Sequence, residues 1–132
     1  MSLLKIERHG AVLRVQMQDA AHRNPLSREM KLELQAAADA WAQDASLRCF
    51  LLTGSAAYFC AGGDLSTLGE DRSATAARAR LALSHQLLRT LMETEKPVLT
   101  AINGAAVGAG LSLALSGDVI LAREDAWFAA AF

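Results

Sequence analysis

Apolar and polar residues alternate in two short segments near the start of the chain. Residues 4–8 and 12–17 show this alternation on either side of His9-Gly10. A period of two is typical of strands with one buried face. Gly10 suits the tight turn between such strands, because glycine adopts positive φ at little steric cost. The sequence therefore predicts an N-terminal β-hairpin.

Two longer segments carry apolar residues at helical spacing. The first, residues 28–43, follows Ser27, a residue type that favours the N-cap position. Its stripe consists of Met30, Leu34, Ala37, Ala38 and Trp41. The second helix is predicted over residues 77–93, after a polar segment at 68–76, with Leu81, Leu88 and Leu91 along its inward line and Leu83 and Leu87 beside them. We expect both stripes to face the core.

Three apolar runs without alternation complete the predicted elements. They lie within residues 48–54, 97–102 and 118–122, and continuous runs of this kind are typical of strands buried on both faces of a parallel sheet. A turn at 123–125 and an apolar segment at 126–128 follow. Strands that alternate with helices predict an α/β fold.

Length, composition and charge narrow the class of protein. With 132 residues and 52% hydrophobic content, the chain fits one domain, residues 1–132. Thirteen basic and fourteen acidic residues favour neither nucleic acid nor a membrane as partner. No secretory signal is visible at the start, and Cys49 and Cys60 are interpreted as reduced thiols, so we expect a cytoplasmic protein. No histidine stands near Cys60 in sequence, which argues against a catalytic thiol.

The end of the chain is apolar. Residues 126–132 contain no cap, turn or polar tail, and a domain rarely ends on an uncovered apolar run. We therefore expect the chain to stop in the middle of a fold.

A glycine-rich segment limits the function most. Gly104, Gly108 and Gly110 lie within seven positions, directly after the strand that ends at residue 102. Such glycines provide special backbone angles or let a ligand approach bare backbone. A helix start there would present free N–H groups at the positive end of its dipole, which suit a phosphate, a carboxylate or an oxyanion.

Three other interpretations of this segment remain open. The glycines could serve only close helix-to-strand packing. Residues 98–117 carry no charge and could form a membrane helix, although the Asn103-Gly104 turn interrupts the run. The spacing of the glycines, with Glu124 following, also matches the fingerprint of a Rossmann-type NAD(P)-dependent dehydrogenase.

A second glycine loop follows an earlier buried strand, and the two must be explained together. The sequences Phe-Cys-Ala-Gly-Gly-Asp-Leu at 59–65 and Pro-Val-Leu-Thr-Ala-Ile-Asn-Gly-Ala-Ala-Val-Gly-Ala-Gly at 97–110 resemble the paired signatures of the crotonase family, the enoyl-CoA hydratase/isomerase superfamily. Residues 23–27 resemble that family's Asn-Ala-Leu segment, with Pro25 where alanine is usual.

This resemblance implies a crotonase-like spiral of ββα units, of which the chain holds only the N-terminal part. It also implies an enzyme that processes acyl-CoA and assembles as a homotrimer or a dimer of trimers. The backbone N–H groups of Gly63 and Ala109 would form an oxyanion hole for the thioester oxygen. Coenzyme A belongs to the substrate, so neither a separate cofactor nor a metal is expected.

The resemblance further implies which residues bind the substrate. The loop of Ala61, Gly62, Asp64 and Leu65 would line the adenine and pantetheine pocket, and Arg23 would approach the CoA phosphates. Gly108 precedes the second oxyanion donor and belongs to the same set.

The expected acid/base positions depart from the hydratase pattern. Ser112 and Phe132 stand where hydratases carry glutamates, and neither side chain can activate water. The family pattern then favours an enoyl-CoA isomerase, or a dehalogenase-like branch whose aspartate lies further along the chain. In that branch a histidine lines the acyl pocket, a position that His85 matches. A non-catalytic CoA-binding protein is the alternative.

Overall fold

The computed structural model describes all residues, 1–132. The predicted hairpin is confirmed: strand β1 spans Leu4–His9 and strand β2 spans Val12–Met17. The two strands pair antiparallel, with His9 opposite Val12. Gly10 adopts φ of 61° in the turn.

Helix α1 confirms the first predicted helix, with bounds Arg28–Gln43. The Ser27 hydroxyl accepts a hydrogen bond of 3.1 Å from the Met30 amide, which satisfies one of the free donors of the first turn. Its whole predicted stripe is buried against the sheet side of the helix: Met30, Leu34, Ala37, Ala38 and Trp41. The Trp41 and Phe50 rings pack with centroids 5.3 Å apart, a tilted geometry that aromatic pairs prefer.

The rest of the chain winds between two sheets. Strands alternate between a five-stranded sheet of order β1-β2-β3-β5-β7 and a three-stranded sheet of order β4-β6-β8. The bounds of the remaining elements are β3 Cys49–Thr53, β4 Tyr58–Cys60, α2 Ala74–Glu93, β5 Val98–Ile102, β6 Ala105–Val107, α3 Ala109–Leu115, β7 Val119–Ala122 and β8 Phe128–Ala129. Short 3₁₀ turns lie at Ala20–His22 and Leu65–Thr67.

This alternation is a spiral of ββα units. The first unit, β1-β2-α1, gives both strands to the large sheet, and each later pair of strands gives one strand to the large sheet and the next to the small sheet. From β3 onward the strands of each sheet pair in parallel, which is the arrangement that crossover connections allow. The α/β class and the spiral predicted from the sequence are both confirmed.

Helix α2 differs from the prediction at its start and in its phase. It begins at Ala74, where the Ser73 side chain caps it by accepting from the Ala76 amide. Leu87 and Leu91 are buried, whereas Leu81 is 55% exposed. The inward line therefore runs through Leu83, Leu87 and Leu91, which are four residues apart, and the line of Leu81 and Leu88 lies at its margin.

Two short strands interrupt segments for which the sequence predicted no strand. Strand β4 lies within the segment 55–65, which was predicted as a loop, and β6 separates the Asn103-Gly104 turn from helix α3. The charge-free run 98–117 is thus divided among β5, β6 and α3. The interpretation of this run as one membrane helix is therefore wrong. None of the helices is both long and apolar enough to cross a membrane.

Strand β7 is present where the sequence predicted it, but it is not buried. It is the edge strand of the large sheet and pairs with β5. Val119, Ile120 and Leu121 are 48%, 42% and 56% exposed. The prediction of a buried strand is therefore wrong in this chain, because both faces of β7 are open to solvent.

Candidate functional site

The two glycine loops meet at one end of the small sheet. Strands β4 and β6 pair in parallel, with Cys60 opposite Ala106. The segments that leave parallel strands emerge at the same edge of a sheet. Residues 61–65 and 107–110, which the sequence separates widely, are consequently neighbours.

Backbone contact between these loops is close enough to require glycine. A Cβ built on Gly62 would lie 2.7 Å from the carbonyl oxygen of Val107 and 3.6 Å from the amide nitrogen of Ala109. A Cβ on Gly110 would lie 2.1 Å from the Cys60 carbonyl oxygen. Gly62 also adopts φ of 101°, which favours glycine. The glycines therefore hold the loops in direct contact.

Gly63 is fixed by its neighbours and leaves its own amide free. The Leu26 amide donates to the Gly62 carbonyl at 2.7 Å, and Leu26 and Gly63 form a parallel bridge. In such a bridge the partner bonds the groups that flank the residue, so the N–H of Gly63 itself points away from Leu26. That N–H donates no hydrogen bond within the chain, and Gly63 is exposed.

Ala109 opens helix α3, as predicted. Gly108 occupies the N-cap with φ of 57° and ψ of −123°, and its carbonyl accepts from the amides of Leu111 and Ser112. The N–H of Ala109, in the first turn, has no acceptor inside the helix. Gly108 donates in turn to the Ala129 carbonyl at 2.9 Å, which joins the helix start to β8.

Arg23 lies beside the first glycine loop. Its carbonyl accepts from the Ala61 amide at 3.0 Å, and its guanidinium carbon lies 5.9 Å from the centroid of the Tyr58 ring. The side chain is exposed. Arg23 adopts a φ of 71°.

The other predicted binding residues of the first loop differ in exposure. Asp64 accepts from the Ser66 amide and hydroxyl at 3.0 Å and 2.6 Å, and so caps the 3₁₀ turn that follows. Leu65 is 76% exposed. Ala61 is half-buried between the Arg23 segment and β4. Five of the predicted residues therefore lie close together, beside Ala109: Arg23, Ala61, Gly62, Gly63 and Asp64.

Of the three remaining predicted residues, Ser112 and Phe132 lie near Gly108, and His85 lies on another element. The Ser112 amide donates to the Gly108 carbonyl, and a Cβ on Gly108 would lie 2.9 Å from the carbonyl oxygen of Ala131, the residue before Phe132. His85 is exposed on α2, in a depression of about 500 Å³ lined by residues of α2 and its C-cap Thr94. Phe132 is 89% exposed. Ser112 is half-buried in α3, and its hydroxyl makes no hydrogen bond. The structure does not bring His85 to the glycine loops.

Cys60 lies beneath the loops and is fully buried. Burial raises the pKa of its thiol from 9.0 to about 11, so the thiol stays protonated at neutral pH and is a poor nucleophile. No three His, Cys, Asp or Glu side chains are grouped so that they could hold a metal ion.

Two asparagines support the site without having been singled out from the sequence. Asn24 is 0% exposed, and its side chain bonds the Asp19 amide, the Ser55 hydroxyl and the Tyr58 carbonyl. Asn103 accepts from the Gly54 amide and donates to the carbonyls of Ala56 and Tyr58. Asn24 lies in the segment 23–27 that resembles the family, and Asn103 lies in the Asn103-Gly104 turn. Neither signal indicated these bonds, because sequence pattern does not reveal long-range side-chain contacts.

The geometry also bears on the dinucleotide interpretation. A dinucleotide fingerprint needs its glycines on a direct strand-to-helix turn. Here β6 separates Gly104 from α3, and a Cβ on Gly104 would lie 2.1 Å from the Ala57 carbonyl oxygen. Gly104 thus serves close backbone packing.

Comparison with known proteins gives a consistent result. Residues 7–132 match the family model for enoyl-CoA hydratase/isomerase. The probable enoyl-CoA hydratase EchA14 of Mycobacterium tuberculosis H37Rv is 38% identical over 130 residues, which cover 98% of this chain and 50% of the relative. The 1,2-epoxyphenylacetyl-CoA isomerase of Escherichia coli K12 is 38% identical over 112 residues, 83% of this chain and 43% of the relative.

A solved structure agrees with these relatives. The crystal structure of the enoyl-CoA hydratase of Mycobacterium smegmatis superimposes with a TM-score of 0.93 at 28% identity, covering 97% of this chain and 50% of that one. The chain spans about half the length of the curated relatives that it matches.

Proposed function

Because this chain belongs to the enoyl-CoA hydratase/isomerase family, we propose that it serves an acyl-CoA-processing enzyme that stabilises a thioester enolate. The enolate oxygen would be held by the backbone N–H groups of Gly63 and Ala109. Shifting the double bond of an enoyl-CoA is the reaction that these residues favour.

One observation carries the proposal: the two glycine loops pack so closely that a Cβ on Gly62 would lie 2.7 Å from the Val107 carbonyl oxygen and 3.6 Å from the Ala109 nitrogen. The N–H of Gly63 is free and directed away from Leu26, and the N–H of Ala109 opens a helix. Two fixed donors suit an oxygen that gains negative charge as the reaction proceeds, and each donor contributes roughly 3 to 4 kcal/mol of transition-state stabilisation. The dipole of α3 acts in the same sense.

Double-bond migration follows from this arrangement. Removal of a proton next to the thioester carbonyl sends an electron pair onto the carbonyl oxygen, where the two amides would stabilise the charge. The pair returns when a proton is delivered to the far carbon of the allylic system, and the double bond has then moved by one position. No water is added, so the reaction requires one proton-carrying group and no water-activating pair.

The choice of isomerase over hydratase is supported by Ser112 and Phe132. Hydration needs a carboxylate that activates water, and these two positions hold a hydroxyl without a partner and an exposed phenyl ring. The same observation favours a second candidate function, a CoA-binding protein without catalysis. In the isomerase, the proton carrier lies at neither position.

A panel of enoyl-CoA thioesters tests the proposal. We expect 3-enoyl-CoA to convert into 2-enoyl-CoA, measured as the rise in ultraviolet absorbance of the conjugated thioester, while 2-enoyl-CoA gains no water. Calorimetric titration with CoA and with NADH runs beside it. Binding of every thioester without turnover would establish the non-catalytic alternative, and loss of conjugation in 2-enoyl-CoA would establish a hydratase.

We also propose that the protein is a homotrimer or a dimer of trimers, as its family resemblance implies. The exposed apolar residues of β7 and β8 are consistent with further covered surface in an assembly. Light scattering coupled to size-exclusion chromatography measures the number of copies.

A further inference from the structure

We propose that Asn24 and Asn103 are positioning residues that set the distance between the two glycine loops by clamping the carbonyl of Tyr58. This inference rests on the proposed function for its catalytic consequence, although the clamp itself can be tested without any substrate.

The clamp centres on one carbonyl group. The Tyr58 oxygen accepts from the Asn24 side-chain amide at 3.0 Å and from the Asn103 side-chain amide at 3.2 Å. It also accepts from the Ser55 amide at 3.1 Å. A Cβ on Gly54 would lie 2.3 Å from the same oxygen, so the bare backbone of Gly54 leaves room for the donors. Three donors on one carbonyl fix the start of β4 firmly.

Asn24 transmits this position to the first glycine loop. Its side chain is completely buried, and its φ of 51° is held by the bonds on both ends of the carboxamide. The residue before it and the second residue after it bond the loop directly: the Arg23 carbonyl accepts from the Ala61 amide, and the Leu26 amide donates to the Gly62 carbonyl. The amide of Gly63 therefore depends on where Asn24 is held.

Asn103 transmits the same position to the second loop. It joins β5 to β6 and, through its carboxamide, bonds Gly54 at the end of β3 and the carbonyls of Ala56 and Tyr58. Gly104, the next residue, packs against the Ala57 carbonyl. Since β6 leads within two residues to Ala109, the clamp gives both oxyanion donors a common reference point.

Asn→Asp is the sharpest variant, because it keeps the size of the side chain while it replaces the neutral amide donor with a carboxylate oxygen. Asn24→Asp keeps the oxygen that accepts from Asp19 but loses both donors, and Asn103→Asp keeps the oxygen that accepts from Gly54 but loses its donors. Leu91→Ala is the matched control, because it removes buried contacts in α2 without touching either loop. Should Asn24→Asp fail to fold, Ser55→Ala removes one acceptor of the Asn24 carboxamide and gives a milder version of the same test.

Amide hydrogen exchange in the full chain provides the first measurement. In Asn24→Asp we expect exchange at Leu26 and Ala61 to rise at least tenfold more than exchange in the β1–β2 hairpin. In the double variant, the increase in exchange rate should be smaller than the product of the increases in the two single variants, since both substitutions act on one carbonyl. A uniform rise at all amides, as expected for Leu91→Ala, would overturn the clamp.

Ligand binding provides the second measurement. The probes are 3-oxobutanoyl-CoA, which forms an enolate, and free CoA. We expect each Asn→Asp variant to lose at least tenfold in affinity for 3-oxobutanoyl-CoA, together with the enolate absorbance, and less than twofold for CoA. Equal losses of affinity for both probes would mean that the asparagines support the fold in general and do not position the oxyanion donors. If the unchanged protein binds both probes equally, the proposed oxyanion hole fails, and the exchange measurement still decides the clamp.

Discussion

Ala109 offers only its backbone N–H to the proposed site, so its side chain is constrained by space and not by chemistry. We expect Ala109→Gly to retain enoyl-CoA isomerisation within a few fold, since the amide and the helix start are kept. Ala109→Leu should lower the rate by roughly 100-fold or more, the loss typical of an oxyanion donor that is blocked. Initial rates with 3-enoyl-CoA measure both variants, and equal rates would refute the role of Ala109.

Gly63 and Gly110 give a matched pair for stability. A Cβ on Gly63 would meet nothing within 4 Å, whereas one on Gly110 would lie 2.1 Å from the Cys60 carbonyl oxygen. We expect Gly63→Ala to change the free energy of unfolding by less than about 0.5 kcal/mol. Gly110→Ala should lower it by about 1 to 3 kcal/mol, even though alanine favours helix, because the backbone of β4 must shift.

Urea unfolding followed by circular dichroism measures this pair. The prediction requires a clear order, with Gly110→Ala the less stable variant. The reverse order would mean that α3 and β4 are not packed as described.

Cys60 makes stability depend on pH in the alkaline range. Burial raises the pKa of its thiol from 9.0 to about 11, so between these values the unfolded chain loses a proton that the folded chain keeps. The protonated thiol's contribution to the free energy of unfolding is fully present below pH 9 and is lost as pH rises through 11. Its full size is roughly 2 to 3 kcal/mol at 1.36 kcal/mol per pH unit.

Unfolding at several pH values checks this sign. We expect the free energy of unfolding to fall between pH 9 and pH 11, and Cys60→Ala to remove most of that slope. Cys49→Ala is the comparison and should remove less of the slope: burial raises the pKa of this thiol too, but Cys49 is only half-buried. A slope that Cys60→Ala leaves intact would assign the pH dependence to another group.

Among helices, the two serine caps should differ in their effect on stability. Ser27 caps α1, whose first turn contains the buried Met30, whereas Ser73 caps an exposed first turn of α2. We expect Ser27→Ala to lower the free energy of unfolding by about 1 kcal/mol. Ser73→Ala should change it by less than half as much, because local fraying there costs no core contacts. Parallel urea titrations compare the two.

The elements that sequence pattern predicted well are those whose own residues decide their structure. Helix α1 has a cap and an unbroken stripe, and β1 and β2 have clean alternation around a glycine turn. Strands β4 and β6 were missed because three residues are too few to show a period. The predicted inward face of α2 was centred beside the observed one. Two rows of leucines lie next to each other on this helix, and only packing against α1 selects between them.

Across the whole chain, the exposed apolar residues predict self-association when the chain is studied by itself. Val119, Leu121, Trp127 and Phe128 are all 46% exposed or more, and an edge strand of this kind pairs readily. We expect light scattering to rise with protein concentration, and Val119→Lys with Leu121→Lys to suppress that rise. Met92→Lys is the control and should have little effect, because Met92 is an exposed apolar residue on helix α2 and not on an edge strand.

The candidate site was predictable only in its backbone parts. The glycine loops of residues 61–65 and 104–110 carried the resemblance, and the structure brings them together. The side chains that hold them could not be foreseen, since Asn24 and Asn103 act through bonds that span 31 to 49 positions of sequence. The position of His85 likewise depended on the rotation of α2, which no local pattern determines.

The order of strands in the large sheet has a kinetic consequence. The neighbours of β3 in the large sheet are β2, which precedes α1, and β5, which follows α2. The central strand therefore cannot complete its hydrogen bonds until these distant segments have come together. The hairpin can zip within roughly 1 to 10 μs, but pairings between such distant segments are the slow events of folding. During synthesis on a ribosome, β3 must therefore wait half-paired until β5 has emerged.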